Sequence, residues 1–272
     1  MVTRFFIAAL ALGPLLGDST CTSDAQTMGA PCYTVGSIAN SASNTVGPYA
    51  LNSFLSIYGT NLSYVTKQIG PGDINAGQLP WVLTGTGVSV LIGGISAYIY
   101  YVSPGQVNVL IPSLLTPGLV IVELENDSFY GPAIQITLAA AAPALFQLDA
   151  TTVLATHGNG PVVTSDSPAS PGEIVILWAS GLGETAPEAI CGFLPEMASP
   201  LADLVEFQVL VNGVAVDSRG ILYAGQAPGY AGLFQVNVQL PADCPPNPEI
   251  QIGFVNSAGS NLSPAQRFLP VQ

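Results

Sequence analysis

Apolar and polar residues alternate with a period of two along most of this chain, which indicates β-strands. Two segments show the pattern most clearly: QVNVLI at residues 106–111 and QVNVQL at residues 235–240, each followed by a proline. We expect the valines to face a core and the prolines to end both strands, because proline has no backbone N–H to donate. The 29 glycines and 23 prolines interrupt the chain too often for long helices. The pattern therefore predicts an all-β protein.

The two QVNV segments belong to a longer internal duplication. Each half carries a two-residue hairpin signal, Gly93-Gly94 in the first half and Asn212-Gly213 in the second, and both dipeptides tolerate the positive φ angles of such turns. A repeat of about 120 to 130 residues is a whole domain rather than a solenoid unit. The other matching stretches are 57–62 with 177–182, 90–92 with 209–211, Tyr101 with Tyr223, and Val120 and Val122 with Ile250 and Ile252.

Each copy contains about seven short strands separated by turn residues, which is the pattern of a Greek-key sandwich. We therefore predict two tandem immunoglobulin-like β-sandwiches, the first at residues 30–141 and the second at residues 142–272. The run AAAAP at residues 139–143 marks the junction. Residues 1–29 are predicted to be a signal peptide followed by a polar segment.

The first residues are typical of an export signal. Arg4 gives a positive start, and the apolar run FFIAALALGPLL at residues 5–16 is too short to span a bilayer. The same run could instead form a buried first strand, because a clear cleavage site is missing. We expect a secreted or cell-surface protein with no transmembrane segment in the mature chain, since glycine, proline, asparagine or glutamine interrupts every other apolar run.

The chain is acidic and carries few charges. It has 17 acidic residues against four basic ones, a net charge of −13 and only 8% charged residues, whereas 49% of its residues are hydrophobic. The apolar content is enough for two cores. The negative charge repels phosphate backbones and anionic lipids. Nucleic acid is therefore not an expected partner.

Four cysteines in an exported chain predict disulfides. Three pairings are open, and we favour Cys21 with Cys32 and Cys191 with Cys244, because each pair lies within one structural region. The second bridge requires Cα atoms within about 7 Å of each other, and the two loops could instead lie at opposite ends of the sandwich.

From about Ile38 to the end, the chain resembles the Solibacter-type uncharacterised C-terminal domain of secreted bacterial proteins, and each half resembles an IPT/TIG-type immunoglobulin-like domain. The resemblance implies a β-sandwich outside the cell and no activity. Such a domain usually follows a larger effector region, whereas here it makes up nearly all of the sequence. The stretches that carry it are SFLSIYGTNLS at 53–63, YYVSPGQVNVLIP at 100–112, AAPALF at 141–146, ILWASGLG at 176–183 and LYAGQAPGYAGLFQVNVQLP at 222–241.

No residue pattern predicts catalysis. Ser180 in WASGLG lacks the glycine two positions before the serine and the following helix that a nucleophile elbow requires. The only histidine, His157, lies in the glycine-rich stretch THGNG, where we expect a solvated residue of a hairpin turn. The expectation is therefore that the protein is not an enzyme and has no catalytic or cofactor-binding residues.

Two sets of side chains are candidates for binding. Glu123, Glu125 and Asp127 alternate along one predicted strand and could hold a calcium ion, although a solvated acidic face explains them as well. The tyrosines could form an aromatic face for a protein or a sugar, although packing also explains them. They are Tyr98, Tyr100, Tyr101, Tyr223 and Tyr230.

These observations favour a non-catalytic binding or adhesion module at the bacterial cell surface, with an extracellular protein or polysaccharide as its partner. The alternative is a structural subunit that self-associates through sheet edges into a surface layer or fibre. A secreted hydrolase is the third hypothesis, and it would need a pocket around His157 or several carboxylates.

Overall fold

The computed structural model describes residues 29–272, which form two compact units. The first unit contains residues 29–140 together with the pentapeptide Ile190–Leu194, and the second contains Ala141–Ala189 and Pro195–Gln272. The predicted signal peptide lies outside the described residues and stays a prediction. No helix among residues 29–272 is long and apolar enough to cross a membrane.

The first unit is a sandwich of two sheets. One sheet has the strand order β1-β3-β8-β7-β4, and the other has the order β2-β11-β9-β5-β6, with β10 paired to β9. Two 3₁₀ turns, Val35–Ser37 and Pro71–Asp73, accompany the strands. The strands are β1 (Ile38–Asn40), β2 (Tyr49–Ala50), β3 (Phe54–Tyr58), β4 (Lys67–Gln68), β5 (Val88–Ile92), β6 (Ile95–Ser96), β7 (Tyr98–Ser103), β8 (Gln106–Leu110), β9 (Gly118–Asn126), β10 (Phe129–Tyr130) and β11 (Ile134–Ala139).

The second unit repeats this arrangement. Its sheets have the orders β12-β14-β19-β18-β15, with β13 paired to β14, and β17-β16-β20-β21. A 3₁₀ turn, Ser218–Gly220, precedes β18. The strands are β12 (Ala144–Leu145), β13 (Ala155–His157), β14 (Ile174–Ser180), β15 (Ser199–Pro200), β16 (Phe207–Val211), β17 (Val214–Ala215), β18 (Ile221–Gln226), β19 (Phe234–Gln239), β20 (Ile250–Asn256) and β21 (Gly259–Leu262).

Period-two alternation builds the core of each unit. Val107 and Val109 of β8 are fully buried in the first core, and Val236 and Val238 of β19 occupy the same positions in the second. Each buried valine contributes about 1.5 to 3 kcal/mol relative to an exposed one. The predicted all-β fold of two tandem immunoglobulin-like sandwiches is confirmed.

Strand pairing confirms the equivalent hairpins. The loop between β5 and β6 is Gly93-Gly94, and the loop between β16 and β17 is Asn212-Gly213. All four residues have positive φ, as a two-residue turn of this kind requires. Tyr101 and Tyr223 also match, because each follows a bulge and lies opposite an asparagine of the next strand.

One detail of the predicted alignment is wrong. Val122 lies opposite Ile92 in the first unit, and Ile250 lies opposite Val211 in the second, so Val122 corresponds to Ile250. The predicted correspondence of Val120 with Ile250 is therefore shifted by two residues. A shift of two preserves the inward and outward alternation of a strand, so the pattern alone cannot detect it.

Candidate functional site

The three carboxylates predicted to hold calcium do not converge. Glu123 and Glu125 lie on β9 and project from the outer face of the sheet, whereas Asp127 lies in the turn after β9 with a positive φ of 46°. The turn takes Asp127 out of the alternation of the strand. Among residues 29–272, no three His, Cys, Asp or Glu side chains are grouped closely enough to hold a metal ion. The calcium prediction is corrected on this ground.

The five tyrosines are divided between the two units. In the first unit, Tyr98 is buried, and Tyr100, at the β7 bulge, and Tyr101, which follows it, are half-buried. In the second unit, Tyr223 is half-buried and donates its hydroxyl hydrogen to the carbonyl oxygen of Gln226, 2.8 Å away. Tyr230 is half-buried too. Burial raises the pKa of Tyr100 and Tyr223 above the ordinary tyrosine value.

The predicted bridge between Cys191 and Cys244 does not form, because both residues are free thiols. Cys191 belongs to the pentapeptide of the first unit, whereas Cys244 is buried in the core of the second unit. Burial, followed by the neighbouring Asp243 carboxylate, raises the pKa of the Cys244 thiol. The other predicted bridge involves Cys21, which lies outside the described residues, so it stays a prediction.

The first unit carries an aromatic pair that the sequence did not single out. The ring of Trp81 lies over that of Tyr98 with a centroid distance of 6.2 Å and an interplanar angle of 34°. Trp81 is 50% exposed, whereas Tyr98 is only 6% exposed. The indole is therefore half exposed to solvent, whereas the Tyr98 ring against which it packs is buried. We call Trp81 and Tyr98 the aromatic platform.

An ion pair connects the two ends of the loop that carries Trp81. Lys67 of β4 donates to the carboxylate of Asp73 at 2.7 Å and to the carbonyl oxygen of Thr84 at 2.9 Å. Asp73 also accepts from the backbone N–H groups of Gly70 and Thr84. The hydrogen bond from Lys67 is the largest of the effects that lower the pKa of Asp73. The carboxylate is therefore charged at neutral pH and holds both ends of the loop.

The pentapeptide Ile190–Leu194 ties down the N-terminal side of the same loop. The backbone N–H of Leu79 donates to the carbonyl oxygen of Gly192 at 2.8 Å, and the backbone N–H of Leu194 donates to the carbonyl oxygen of Gly77 at 2.8 Å. Tyr98 donates its hydroxyl hydrogen to the carbonyl oxygen of Cys191 at 3.3 Å. Burial, followed by Cys191, raises the pKa of Tyr98, which keeps this donor protonated. In β7, the backbone N–H of Ile99 also donates to the carbonyl oxygen of Pro80, so the segment that carries Trp81 is held by hydrogen bonds from both sides.

Further exposed apolar side chains lie on the two segments that form this support. Val82 follows Trp81 in the loop, and Ile190 and Phe193 belong to the pentapeptide. The same loop also offers the amides of Asn75 and Gln78, which can both donate and accept hydrogen bonds. An apolar, partly aromatic surface with a few polar groups is the composition of a binding site.

His157 is the last residue of β13 and directly precedes the predicted hairpin turn, and its ring is not solvated. The backbone closes a hairpin through Gly160 N–H to His157 O at 2.8 Å, yet the side chain is only 15% exposed. Its Nδ1 lies 2.5 Å from Oε1 of Glu173, and its Nε2 lies 3.3 Å from Oγ and 3.1 Å from the carbonyl oxygen of Ser167. Ser180, by contrast, is fully buried and donates to the carbonyl oxygen of Gly232.

No protein-family model matches the chain, and no curated protein matches it. Among solved structures, it is similar to SGBP-B of the Bacteroides ovatus mixed-linkage glucan utilization locus in complex with a mixed-linkage heptasaccharide (11% identity, TM-score 0.31, 82% of this chain and 43% of that chain). It is also similar to the surface glycan-binding protein PbSGBP-B from Prevotella bryantii (14% identity, TM-score 0.25, 88% and 42%). A third is murine CEACAM1b (13% identity, TM-score 0.20, 82% and 95%). The chain spans less than half the length of the first two.

Proposed function

We propose that this protein is an extracellular binding or adhesion module at the cell surface and that the aromatic platform binds a neutral polysaccharide. The half-exposed Trp81 ring over the buried Tyr98 ring carries the proposal. An indole face packs against the C–H groups of a sugar ring, and the loop beneath it is already fixed by Lys67 and the pentapeptide. Binding then costs little ordering of the loop.

The charge of the protein favours a neutral partner. A net charge of −13 repels acidic polysaccharides and nucleic acids. The amides of Asn75 and Gln78 suit sugar hydroxyls, which both donate and accept hydrogen bonds. A protein partner suits this surface less well, because protein interfaces bury a larger apolar area around a central anchor residue that becomes fully buried.

The experiment is affinity electrophoresis of the full chain in gels that contain a soluble neutral glucan, mannan or xylan. A gel that contains heparin is the acidic comparison. We expect one neutral polysaccharide to retard the wild-type protein and Trp81→Ala to weaken that binding by at least tenfold, which is about 1.4 kcal/mol. Tyr64→Ala is the matched control, because Tyr64 is an exposed aromatic residue of the same unit outside the platform loop.

Fluorescence gives an independent reading, because the chain has only two tryptophans. Trp178 is buried, so the signal that responds to a bound sugar should come from Trp81 and disappear in Trp81→Phe. Equal retardation of the wild type and Trp81→Ala would place the binding site elsewhere. If heparin alone retards the protein, or if no polysaccharide does, the proposed function is wrong.

A further inference from the structure

The second unit brings together a serine, a histidine and a glutamate in the order of a nucleophile, a base and an orienting carboxylate. Oγ of Ser167 lies 3.3 Å from Nε2 of His157, and Nδ1 of His157 lies 2.5 Å from Oε1 of Glu173. A nucleophile within reach of a base that a third group orients is the geometric mark of nucleophilic catalysis. His157 ends strand β13, and Ser167 and Glu173 lie in the two turns that follow it, at residues 164–167 and 170–173.

Backbone hydrogen bonds hold the segment that carries each of the three side chains. The Ser167 turn closes through paired backbone bonds with Thr164, both 3.1 Å long. The Glu173 turn closes through Glu173 N–H to Ser170 O at 3.0 Å, and Oε2 of Glu173 accepts the backbone N–H of Ser170 at 2.8 Å. His157 is held at the end of β13 by its pairing with Val175. The side chains therefore meet on a rigid backbone.

Glu173 determines the state of the histidine ring. Its burial opposes ionisation, but the hydrogen bonds from Ser170 and His157 outweigh that effect and lower the pKa of the carboxyl group. A carboxylate at Nδ1 holds the proton on that nitrogen, and the lone pair of Nε2 then faces the hydroxyl group of Ser167. The carbonyl oxygen of Ser167, 3.1 Å from Nε2, can accept the hydrogen that Nε2 carries after it takes the hydroxyl proton.

We propose that Ser167, His157 and Glu173 form an acyl-transfer site that cleaves carboxylic esters. Oγ of Ser167 bonds to the acyl carbon and passes its proton to Nε2 of His157. The bond from that carbon to the alcohol oxygen breaks, and Nε2 returns the proton to the leaving alcohol. Water then adds to the acyl-serine with the same base and releases the acid. Ser167 and His157 are the catalytic residues, and Glu173 is a positioning residue.

The position of Ser167 defines the substrate class. Ser167 is exposed on a turn, so it can reach an ester group that projects from a large molecule. The acidic protein disfavours an anionic ester. The fitting substrate is therefore a neutral ester that projects from a large molecule. This site is separate from the aromatic platform, and its activity does not depend on the function proposed above.

The test is covalent labelling of the full chain with a fluorophosphonate, followed by peptide mass spectrometry. Oγ of Ser167 should displace fluoride and form a bond to phosphorus. We expect an adduct on Ser167 that Ser167→Ala removes and Ser165→Ala leaves unchanged, because Ser165 is an exposed serine of the same turn. His157→Gln should lower the labelling rate by about 100-fold or more. The rate of 4-nitrophenyl acetate hydrolysis should change in each variant in the same way as the labelling does.

Glu173→Gln distinguishes positioning from a structural role. Glutamine has the same shape but cannot hold the proton on Nδ1 of His157 as a carboxylate does, so we expect the labelling rate of Ser167 to fall, and Glu173→Asp, which keeps the carboxylate, to restore part of that rate. A merely structural Glu173 would leave the rate of Glu173→Gln unchanged.

Absence of an adduct on Ser167, equal rates at Ser167 and Ser165, or an unchanged rate in His157→Gln would each overturn the proposal. Ser167→Ala keeps the backbone carbonyl that contacts His157, so it should fold. If His157→Gln does not fold, the wild-type ratio of labelling at Ser167 to Ser165 decides: at least tenfold supports the site, and near unity overturns it.

Discussion

At the scale of single residues, a buried hydroxyl group accepts a hydrogen bond from a backbone N–H that strand pairing does not satisfy. Strand β9 changes partner near Leu124, because its pairing with β11 ends at Val122 and its pairing with β10 begins at Glu125. The hydroxyl oxygen of Tyr33 accepts the N–H of Leu124 at 2.9 Å. Burial is the main reason that the pKa of Tyr33 is raised to about 12. An unpaired N–H in this core would cost about 1 to 3 kcal/mol.

Tyr33→Phe tests this hydrogen bond and its pH dependence. We expect the free energy of unfolding to fall by about 1 to 3 kcal/mol at pH 7. The folded pKa of about 12 lies above the ordinary value of 10.0, so the contribution of Tyr33 is complete below pH 10 and is lost as pH rises through 12. Between pH 8 and 12, the free energy of unfolding measured with urea should fall less in Tyr33→Phe than in the wild type. The exposed Tyr64→Phe should behave as the wild type, and an identical slope in Tyr33→Phe would contradict the assignment.

At the scale of elements, the two copies use different residues at the same hairpin position. Asn212 in the second copy donates its N–H to the carbonyl oxygen of Glu249 at 2.9 Å, and its side-chain oxygen accepts the N–H of Glu249 at 2.8 Å. In the first copy, a Cβ on Gly93 would lie 2.8 Å from Cδ2 of Leu115. The packing of Leu115 therefore favours glycine at this position of the first copy.

Substitutions at position 212 should separate the two contributions of asparagine. Asn212→Gly keeps a residue that adopts positive φ and loses the side-chain hydrogen bond, so we expect a loss of about 1 kcal/mol. Asn212→Ala should lose about 1 kcal/mol more, because alanine disfavours the φ of 49° seen here. Urea unfolding measures both.

Gly93→Asn is the reciprocal test in the first copy. It should destabilise the protein although asparagine suits the turn, because its Cβ meets Leu115. A neutral effect of Gly93→Asn would show that Leu115 moves aside without cost.

At the scale of the whole molecule, the first unit is not continuous in sequence. The pentapeptide Ile190–Leu194 belongs to it although 49 residues, Ala141–Ala189, separate this segment from the rest of the unit. Gly192 lies against the ring of Tyr98 so closely that a Cβ there would overlap the ring. The aromatic platform therefore depends on a segment distant in sequence.

Gly192→Ala tests this dependence, with Gly77→Ala as the matched control. Both glycines have positive φ, so both alanine variants carry similar backbone strain, but a Cβ on Gly77 meets no atom within 4 Å. We expect Gly192→Ala to be less stable than Gly77→Ala by about 1 to 3 kcal/mol, the usual cost of overpacking. It should also change the fluorescence of Trp81. Equal effects of the two substitutions would contradict the described packing.

The sequence determined the parts of this protein that depend on local pattern. Alternation places Val107 and Val236 in their cores, and the dipeptides at 93–94 and 212–213 form hairpins, because strand faces and two-residue turns follow from backbone geometry. The period-two pattern could not separate Val120 from Val122, since both side chains have the same alternation along the strand. The resemblance to the Solibacter-type domain stays a prediction.

Tertiary structure decided the candidate sites, because exposure and proximity depend on residues far apart in sequence. The sequence singled out Tyr98, but only packing shows that Trp81 covers it and that Gly192 lies against it. His157 was assigned to a solvated turn, because nothing in the spacing of three short loops shows that Ser167 and Glu173 meet its ring. Cys191 and Cys244 are free thiols, and their positions in sequence do not show that Cys191 belongs to the first unit while Cys244 is buried in the core of the second.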